Sequence, residues 1–446
     1  MEEYIKKLLE QVRFEKAHKA IGDEIRSHIE DQIEANVLDG MDEETAEKRA
    51  VEDMGDPVDA GIELDKVHRP KMAWGVVIVA LLVAVMGTMI HVFMAQDPDL
   101  EYLVYMEDLS SFISFTVRGM VLMLLLYLVD YTTVAKYSKV AALCLIVICM
   151  LGIIWNPPMM LLIPLYAGII YKYKGQKYEG LIKSVLWIII PSFIVVYRSY
   201  WNYVVFLIFV FSMLVQLTFA IKKGWLKVSK IPVLITLWTA FSVFCGFVVK
   251  KEYELASGTV LKWIGEDGNL YERQIINTNV DIVRAYMKEV KLFGNTLLSS
   301  FGGKSFSPAR FSVSDPNTSM ILTYILSTGG LIVGIVVIAA IIGLIVFGLV
   351  TVLKTKNQLG MVMGLGCMMW LFSNTVANIF VGTGMIEEQG GAVFLPFISN
   401  SNLIESYALL GILLSIYKFK SVYSQHVDIS LRADLKRLGC KRWKNT

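Results

Sequence analysis

The chain has 446 residues, 55% of them hydrophobic and 18% charged, with a mean hydropathy of +0.55, which excludes an ordinary soluble globular domain and points to a bilayer. The net charge of +2 averages two unlike regions: residues 1–71 hold 20 Asp/Glu against 11 Lys/Arg, net −9, so the remainder carries +11. Five scattered cysteines (Cys144, Cys149, Cys245, Cys367, Cys440) show neither metal-ligand nor disulfide spacing. No P-loop, dinucleotide fingerprint, zinc pattern or nucleophilic triad falls in a fitting context, which argues against ATP-driven transport by this chain.

The first 71 residues read as a small acidic helical domain. Ile21, Ile25, Ile29, Ile33 and Val37 recur every four positions, as in an amphipathic helix, and Asp39-Gly40 ends it. A second helix starts at Asp42, with Glu43 and Glu44 in its first turn, runs through Ala46, Ala50 and Met54, and stops at Gly55-Asp56-Pro57. Another follows, capped by Asp56 with Pro57 at its first position. An earlier helix from roughly Glu3 to Lys19 makes four.

The stretch from Ile25 to Pro70, with Ser27-His28-Ile29-Glu30-Asp31 and Met54-Gly55-Asp56-Pro57, resembles the HAAS or permease-prefix domain of bacterial membrane proteins. That resemblance implies a regulatory role and a cytoplasmic protein partner. His28, set among acids, reads either as a pH-sensitive contact or as an ordinary surface histidine.

Apolar runs that approach the length needed to cross a hydrocarbon core of about 30 Å fall near residues 73–94, 112–130, 139–155, 158–171, 181–197, 202–221, 231–249, 320–350, 359–380 and 402–417. The fold class expected is therefore all-α: a polytopic membrane protein of about ten transmembrane helices. No cleavable signal precedes the first span, so Trp74 to Met94 is expected to act as a signal anchor.

Lysines cluster in alternate loops: Lys136 and Lys139; Lys172, Lys174, Lys177 and Lys183; Lys222, Lys223, Lys227 and Lys230; Lys354 and Lys356; and the tail from Lys418 onward. The positive-inside rule then puts both termini in the cytoplasm. Three regions follow: an acidic domain (1–71), a membrane domain (72–420) with a large outer loop at 250–319, and a basic tail (421–446). A loop of that length in an otherwise economical helical protein is expected to be functional.

Within the last third, Phe293-Gly294, Phe301-Gly302-Gly303, Asn317-Thr318, the stretch from Asn378 to Gly384-Met385, and Leu395-Pro396-Phe397-Ile398-Ser399 together resemble the SEDS family of shape, elongation, division and sporulation proteins. Asn156-Pro157-Pro158 is a weaker match to a family element. The resemblance implies a peptidoglycan glycosyltransferase that polymerises lipid II at the outer face of the plasma membrane. It also implies a carboxylate base at the start of the eighth span, help from a divalent cation (Mg or Mn), and a class B penicillin-binding protein as partner.

The sequence departs from the family at that base, because the expected Thr-Asp pair is Thr318-Ser319. Asp315, four residues earlier, is the substitute catalytic candidate, and Glu387, Glu388 and Glu405 offer further carboxylates. Asp315-Pro316-Asn317-Thr318 also reads as a plain turn and helix cap. Lys304 and Arg310 are candidates to clamp a diphosphate, or solvated surface charges; Thr318, Ser319, Asn378, Pro396 and Ser399 complete the substrate-binding candidates.

Further departures are Asn400-Ser401-Asn402 after the Ile-Ser element and Arg198-Ser199-Tyr200-Trp201 near the sixth span. Arg118, inside the second span, either snorkels or contacts substrate. Gly330, Gly334, Gly360, Gly364 and Gly366 read as helix-packing positions. Two other readings stay open beside the enzyme: a catalytically silent lipid II-binding scaffold or signalling protein, which Ser319 favours, and a lipid or solute carrier.

Overall fold

The computed structural model describes residues 1–70, 72–96, 107–151, 159–198, 203–256, 259–264, 270–275, 278–294, 298–301, 304–306, 319–386, 393–400, 402–420 and 422–423. At the N-terminus, α1 (Glu2–Glu10), α2 (Glu15–Leu38), α3 (Glu43–Asp53) and α4 (Pro57–His68) close on Tyr4, Ile5, Leu8, Val12, Ile21, Ile29, Ala46 and Ala50. Asp42 accepts a hydrogen bond from the Thr45 amide (3.0 Å) and Asp56 one from the Val58 amide (2.6 Å), so both helices start where their caps lie.

The first helix stops earlier than its apolar pattern suggests, at Glu10 instead of near Lys19. The buried Asp65 carboxylate explains the break: it accepts from the Arg13 amide at 3.0 Å and pairs with the Arg13 guanidinium at 3.3 Å, which pulls the chain out of the helix.

The remainder is an all-α polytopic membrane bundle. Its helices are α5 (Trp74–Ala95), α6 (Glu107–Leu128), the short α7 (Tyr131–Lys136), α8 (Ser138–Met150), a 3-10 turn (Met159–Leu161) leading into α9 (Leu162–Tyr171), α10 (Tyr178–Arg198), α11 (Tyr203–Lys222) and α12 (Lys230–Ala256). The segment that follows holds two antiparallel hairpins, β1 (Thr259–Ile264) with β2 (Leu270–Ile275) and β3 (Leu298–Phe301) with β4 (Lys304–Phe306), on either side of α13 (Thr278–Glu289). The last spans are α14 (Ile321–Gly329), α15 (Leu331–Leu353), α16 (Gln358–Gly382) and α17 (Leu403–Lys418).

Among the described residues, six helices are long and apolar enough to cross a membrane on their own: those beginning at Trp74, Leu109, Tyr203, Lys230, Leu331 and Gln358. Shorter apolar helices, α8 and α9 among them, accompany these six.

The lysine-bearing loops share one end of the bundle. The Lys172 ammonium donates to the Lys136 carbonyl (2.7 Å), the Lys227 amide to the Gln176 carbonyl (2.8 Å), and the Trp225 indole N–H to Gln358 Oε1 (2.8 Å). Helices α6 and α17 run parallel toward that end. A Cβ on Gly119 would lie 2.5 Å from the Tyr407 ring, and one on Gly411 would lie 2.7 Å from the Met123 carbonyl, so glycine lets the two backbones touch.

The N-terminal domain is clasped to this lysine end through Asp130, which is buried and caps α7 through the Thr132 amide. Its carboxylate also accepts from Lys16 (2.8 Å) and from the Tyr423 hydroxyl, while Phe14 and Phe419 pack with ring centroids 5.9 Å apart. Burial alone would raise the Asp130 pKa, but the hydrogen bonds from Lys16, Tyr423 and Thr132 outweigh it and hold the group below its ordinary value of 3.8.

The eighth span, read above as one helix over 320–350, is two. Gly330 sits at φ 88°, ψ 174°, a region open only to glycine, and a Cβ there would lie 2.8 Å from both the Leu292 carbonyl and the Phe293 Cα. The chain before the break is bonded into it: Leu331 N donates to Lys291 O (2.9 Å), Ile332 N to Leu292 O (3.2 Å), and Gly294 N to Gly329 O (3.2 Å). A broken helix in lipid needs partners for its freed amides, and residues 291–294 supply them. Gly330 is thus a hinge position, whereas Gly360 and Gly364 pack against Ile416 and Val352.

Gly330→Val is expected to lower stability by about 3 kcal/mol in thermal unfolding, whereas Gly343→Val, where an added Cβ meets nothing within 4 Å, leaves the midpoint unchanged. A depressed carboxylate stabilises above its ordinary pKa and loses that contribution as the pH falls through its lowered one. Clasping of residues 1–70, followed by hydrogen exchange, should therefore hold at neutral pH and weaken only below about 3.8. Asp130→Asn should weaken it at pH 7 by about 2 kcal/mol.

Candidate functional site

Two pinned clusters lie at the end of the bundle opposite the lysine loops. In the first, Ser319 is 6% exposed and directly precedes α14; its carbonyl accepts from the Asn378 side-chain amide at 2.9 Å. One turn on, the Thr323 hydroxyl donates to the Gly382 carbonyl (3.1 Å), so α14 is fastened along the end of α16. The segment between α12 and α14 reaches the same place, because Arg284 Nε on α13 donates to the Gly384 carbonyl at 2.9 Å. Val280, Val283 and Tyr286 are buried beneath α13, and burial pushes the Tyr286 phenol above its usual range.

The second cluster is the Leu395-Pro396-Phe397-Ile398-Ser399 loop. Ser399 Oγ, fully buried, accepts from the Leu395 amide (2.8 Å) and closes the loop on itself. His91 Nε2 lies 2.9 Å from the Ile398 carbonyl, an arrangement that requires the ring to donate there, and the imidazole stacks on Phe112 at 3.9 Å. Phe397 adopts φ 65°, strained for an aromatic residue, and its ring packs on Tyr407 with centroids 5.2 Å apart. Glu405 lies in the first turn of α17, partly buried, and is the described carboxylate nearest this loop in sequence.

Of the candidates read from sequence, Ser319 and Asn378 are joined directly. Pro396 and Ser399 belong to the second cluster, both buried. Asn378 and Ser399 turn their bonded atoms to the backbone, so each holds a segment of chain in place. Lys304 lies in β4, paired with Phe301 across the hairpin. Arg310, Asp315, Thr318, Glu387 and Glu388 lie outside the described residues, as does Asn156-Pro157-Pro158.

Arg118 is exposed on α6, with its guanidinium 5.9 Å from the Phe115 ring. Among the described residues no group of three His, Cys, Asp or Glu side chains comes together to hold a metal. Among the described residues, the oxygen ligands at the two clusters are amide, hydroxyl and backbone groups plus Glu405.

Sequence reasoning passed over His91 and Arg284. A lone histidine within an apolar span is itself a signal, since such residues are rare without a partner. Arg284, in a segment of mixed composition, carried no comparable mark.

No protein-family model matches the sequence, and no curated protein matches it. Solved structures do. One, described as the structural coordination of polymerization and crosslinking by a peptidoglycan synthase complex, matches with a TM-score of 0.56 at 14% identity, covering 78% of this chain and 98% of that one. The membrane bundle has the fold of RodA. An aspartate-to-alanine mutant of the Thermus thermophilus rod shape determining protein RodA matches with a TM-score of 0.51 at 14% identity, over 78% of this chain and 97% of RodA. The all-α polytopic fold implied by the SEDS resemblance is therefore the one present.

His91→Phe keeps a ring against Phe112 but removes the donor to Ile398. Hydrogen exchange over residues 393–400 should then speed up by an amount equivalent to about 1–2 kcal/mol, with α15 and α16 unchanged.

Proposed function

We propose that this chain is a SEDS-like cell-wall protein that acts on a lipid-linked precursor at the outer face of a bacterial plasma membrane, as a peptidoglycan glycosyltransferase polymerising lipid II. The observation that carries the reading is the Ser319–Asn378 junction, at the mouth to which the outer segment is fastened, in a bundle with the RodA fold. The gathered lysine loops favour an orientation with that mouth outside and both termini in the cytoplasm. A solved peptidoglycan synthase complex of the same fold favours a class B penicillin-binding protein as partner.

In the proposed reaction a carboxylate takes the proton of an acceptor sugar hydroxyl as its oxygen attacks the anomeric carbon of the donor. The bond from that carbon to the diphosphate oxygen breaks, and the lipid diphosphate leaves with the electron pair. Serine cannot be this base at neutral pH without a base beside it, so the role falls to Asp315, with Lys304 and Arg310 as cations for the diphosphate. No step is assigned to a divalent cation.

Ser319 itself supports a second reading, in which the chain binds lipid II without polymerising it and the N-terminal domain signals to a cytoplasmic protein. Labelled lipid II, offered to purified protein with and without a co-purifying transpeptidase, separates the two. Glycan chains made by the wild type and lost in Asp315→Ala support the enzyme. Tight lipid II binding with no polymer under any condition replaces it with the scaffold.

A further inference from the structure

A line of buried polar side chains descends from the Ser319 mouth into the bundle, and beyond Asn378 its members take no part in the reading above. On α16, positions 366, 370, 374 and 378 recur every four residues and so form one stripe, roughly 18 Å long at 1.5 Å per residue. Asn378, Asn374 and Trp370 are 0%, 1% and 3% exposed. At the fourth position Gly366 admits Gln216 of α11, itself fully buried, so closely that a Cβ would lie 1.8 Å from the Gln216 amide nitrogen.

Each of the four side chains has one polar atom with no partner among the described residues: Asn378 Oδ1, Asn374 Oδ1, Trp370 Nε1 and Gln216 Oε1. The amide orientations are fixed by their other ends. Asn378 Nδ2 donates to Ser319 O (2.9 Å), Asn374 Nδ2 to Trp370 O (3.0 Å), and Gln216 Nε2 to Ile163 O (2.9 Å). Flipping any of them would set oxygen against oxygen, so the three free atoms are acceptors in need of donors. Trp370 Nε1 is the reverse, a donor in need of an acceptor, and its ring is fixed edge-on against Phe209 of α11 at 6.1 Å.

Orphaned polar atoms of this kind are costly in a bilayer interior and are rarely left without a ligand. A cation would satisfy the three oxygens but not the indole N–H; an anion would do the reverse. Water donates and accepts, and so answers all four. Ser212 lies on the same face of α11 as Phe209 and Gln216; it is buried, and its hydroxyl, which donates to the Ile208 carbonyl at 2.8 Å, has lone pairs left to join the file.

We infer that Gln216, Trp370, Asn374 and Asn378 line a file of internal waters between α11 and α16, running from the Ser319 backbone toward the centre of the bundle. The file is part of the folded structure: it completes the hydrogen bonds of Asn378, and through Asn378 it sets the position of Ser319. It is independent of whether the chain polymerises anything.

Radiolytic hydroxyl labelling of the full-length protein in lipid nanodiscs tests it, because side chains beside bound water are oxidised even when buried. Trp225 is the internal control, being 0% exposed with its indole N–H already bonded to Gln358. Trp370 should be oxidised several-fold faster than Trp225, and Asn374→Leu should slow that oxidation and lower the thermal midpoint. Equal oxidation of Trp370 and Trp225 would overturn the proposal, as would an Asn374→Leu protein that is as stable as wild type or more so. Stabilisation by sodium or potassium chloride over choline chloride, without Trp370 oxidation, would place an ion there and equally overturn it.

Discussion

The break at Gly330 is the constraint on which the end of this protein opposite the lysine loops depends. A helix interrupted inside a bilayer exposes amides and carbonyls that lipid cannot satisfy. Here the carbonyls of Lys291 and Leu292 take up the amides of Leu331 and Ile332, and the Gly294 amide returns a bond to Gly329. The segment after the seventh span is thereby built into the eighth. Arg284 fastens it a second time at Gly384, just past α16, and the short α14 comes to lie along α16 with Ser319 held by Asn378. Replacing the glycine would close the hinge and separate these elements together.

At the opposite end a different kind of bond does the joining. Asp130, just past α6, starts α7 and gathers Lys16 of the N-terminal domain and Tyr423 beyond α17 on one carboxylate. Because α6 and α17 lie in contact along their length and α17 begins just after the Leu395–Ser399 loop, the clasped domain and that loop sit on the two ends of one helix pair. The N-terminal domain is therefore attached to elements that also carry the second cluster.

Much of this was legible in the residues. Hydropathy runs located the apolar helices, six of the described ones long enough to span alone, the lysine clusters sorted loops to one end, and Asp42 and Asp56 marked two helix starts because capping is a local property of side chain and backbone. What could not be read locally went wrong. The break near Gln11 depends on Asp65, some fifty residues away in sequence, and the break at Gly330 looks like packing glycine until the Leu292 carbonyl is seen against it. Asn378 and Ser399 were found as family-like residues, but their partners are backbone atoms that no pattern names. His91 was missed although its isolation in an apolar span was visible. The departure at Ser319 was equally plain in the sequence.

The measurement that bears most directly on this architecture is residue-resolved hydrogen exchange in lipid nanodiscs at Leu331 and Ile332. With both amides bonded to Lys291 and Leu292, they should exchange as slowly as the interior of α15. Rapid exchange at those two positions beside a protected α15 would contradict the built-in segment between α12 and α14, and with it the arrangement of Ser319 on Asn378.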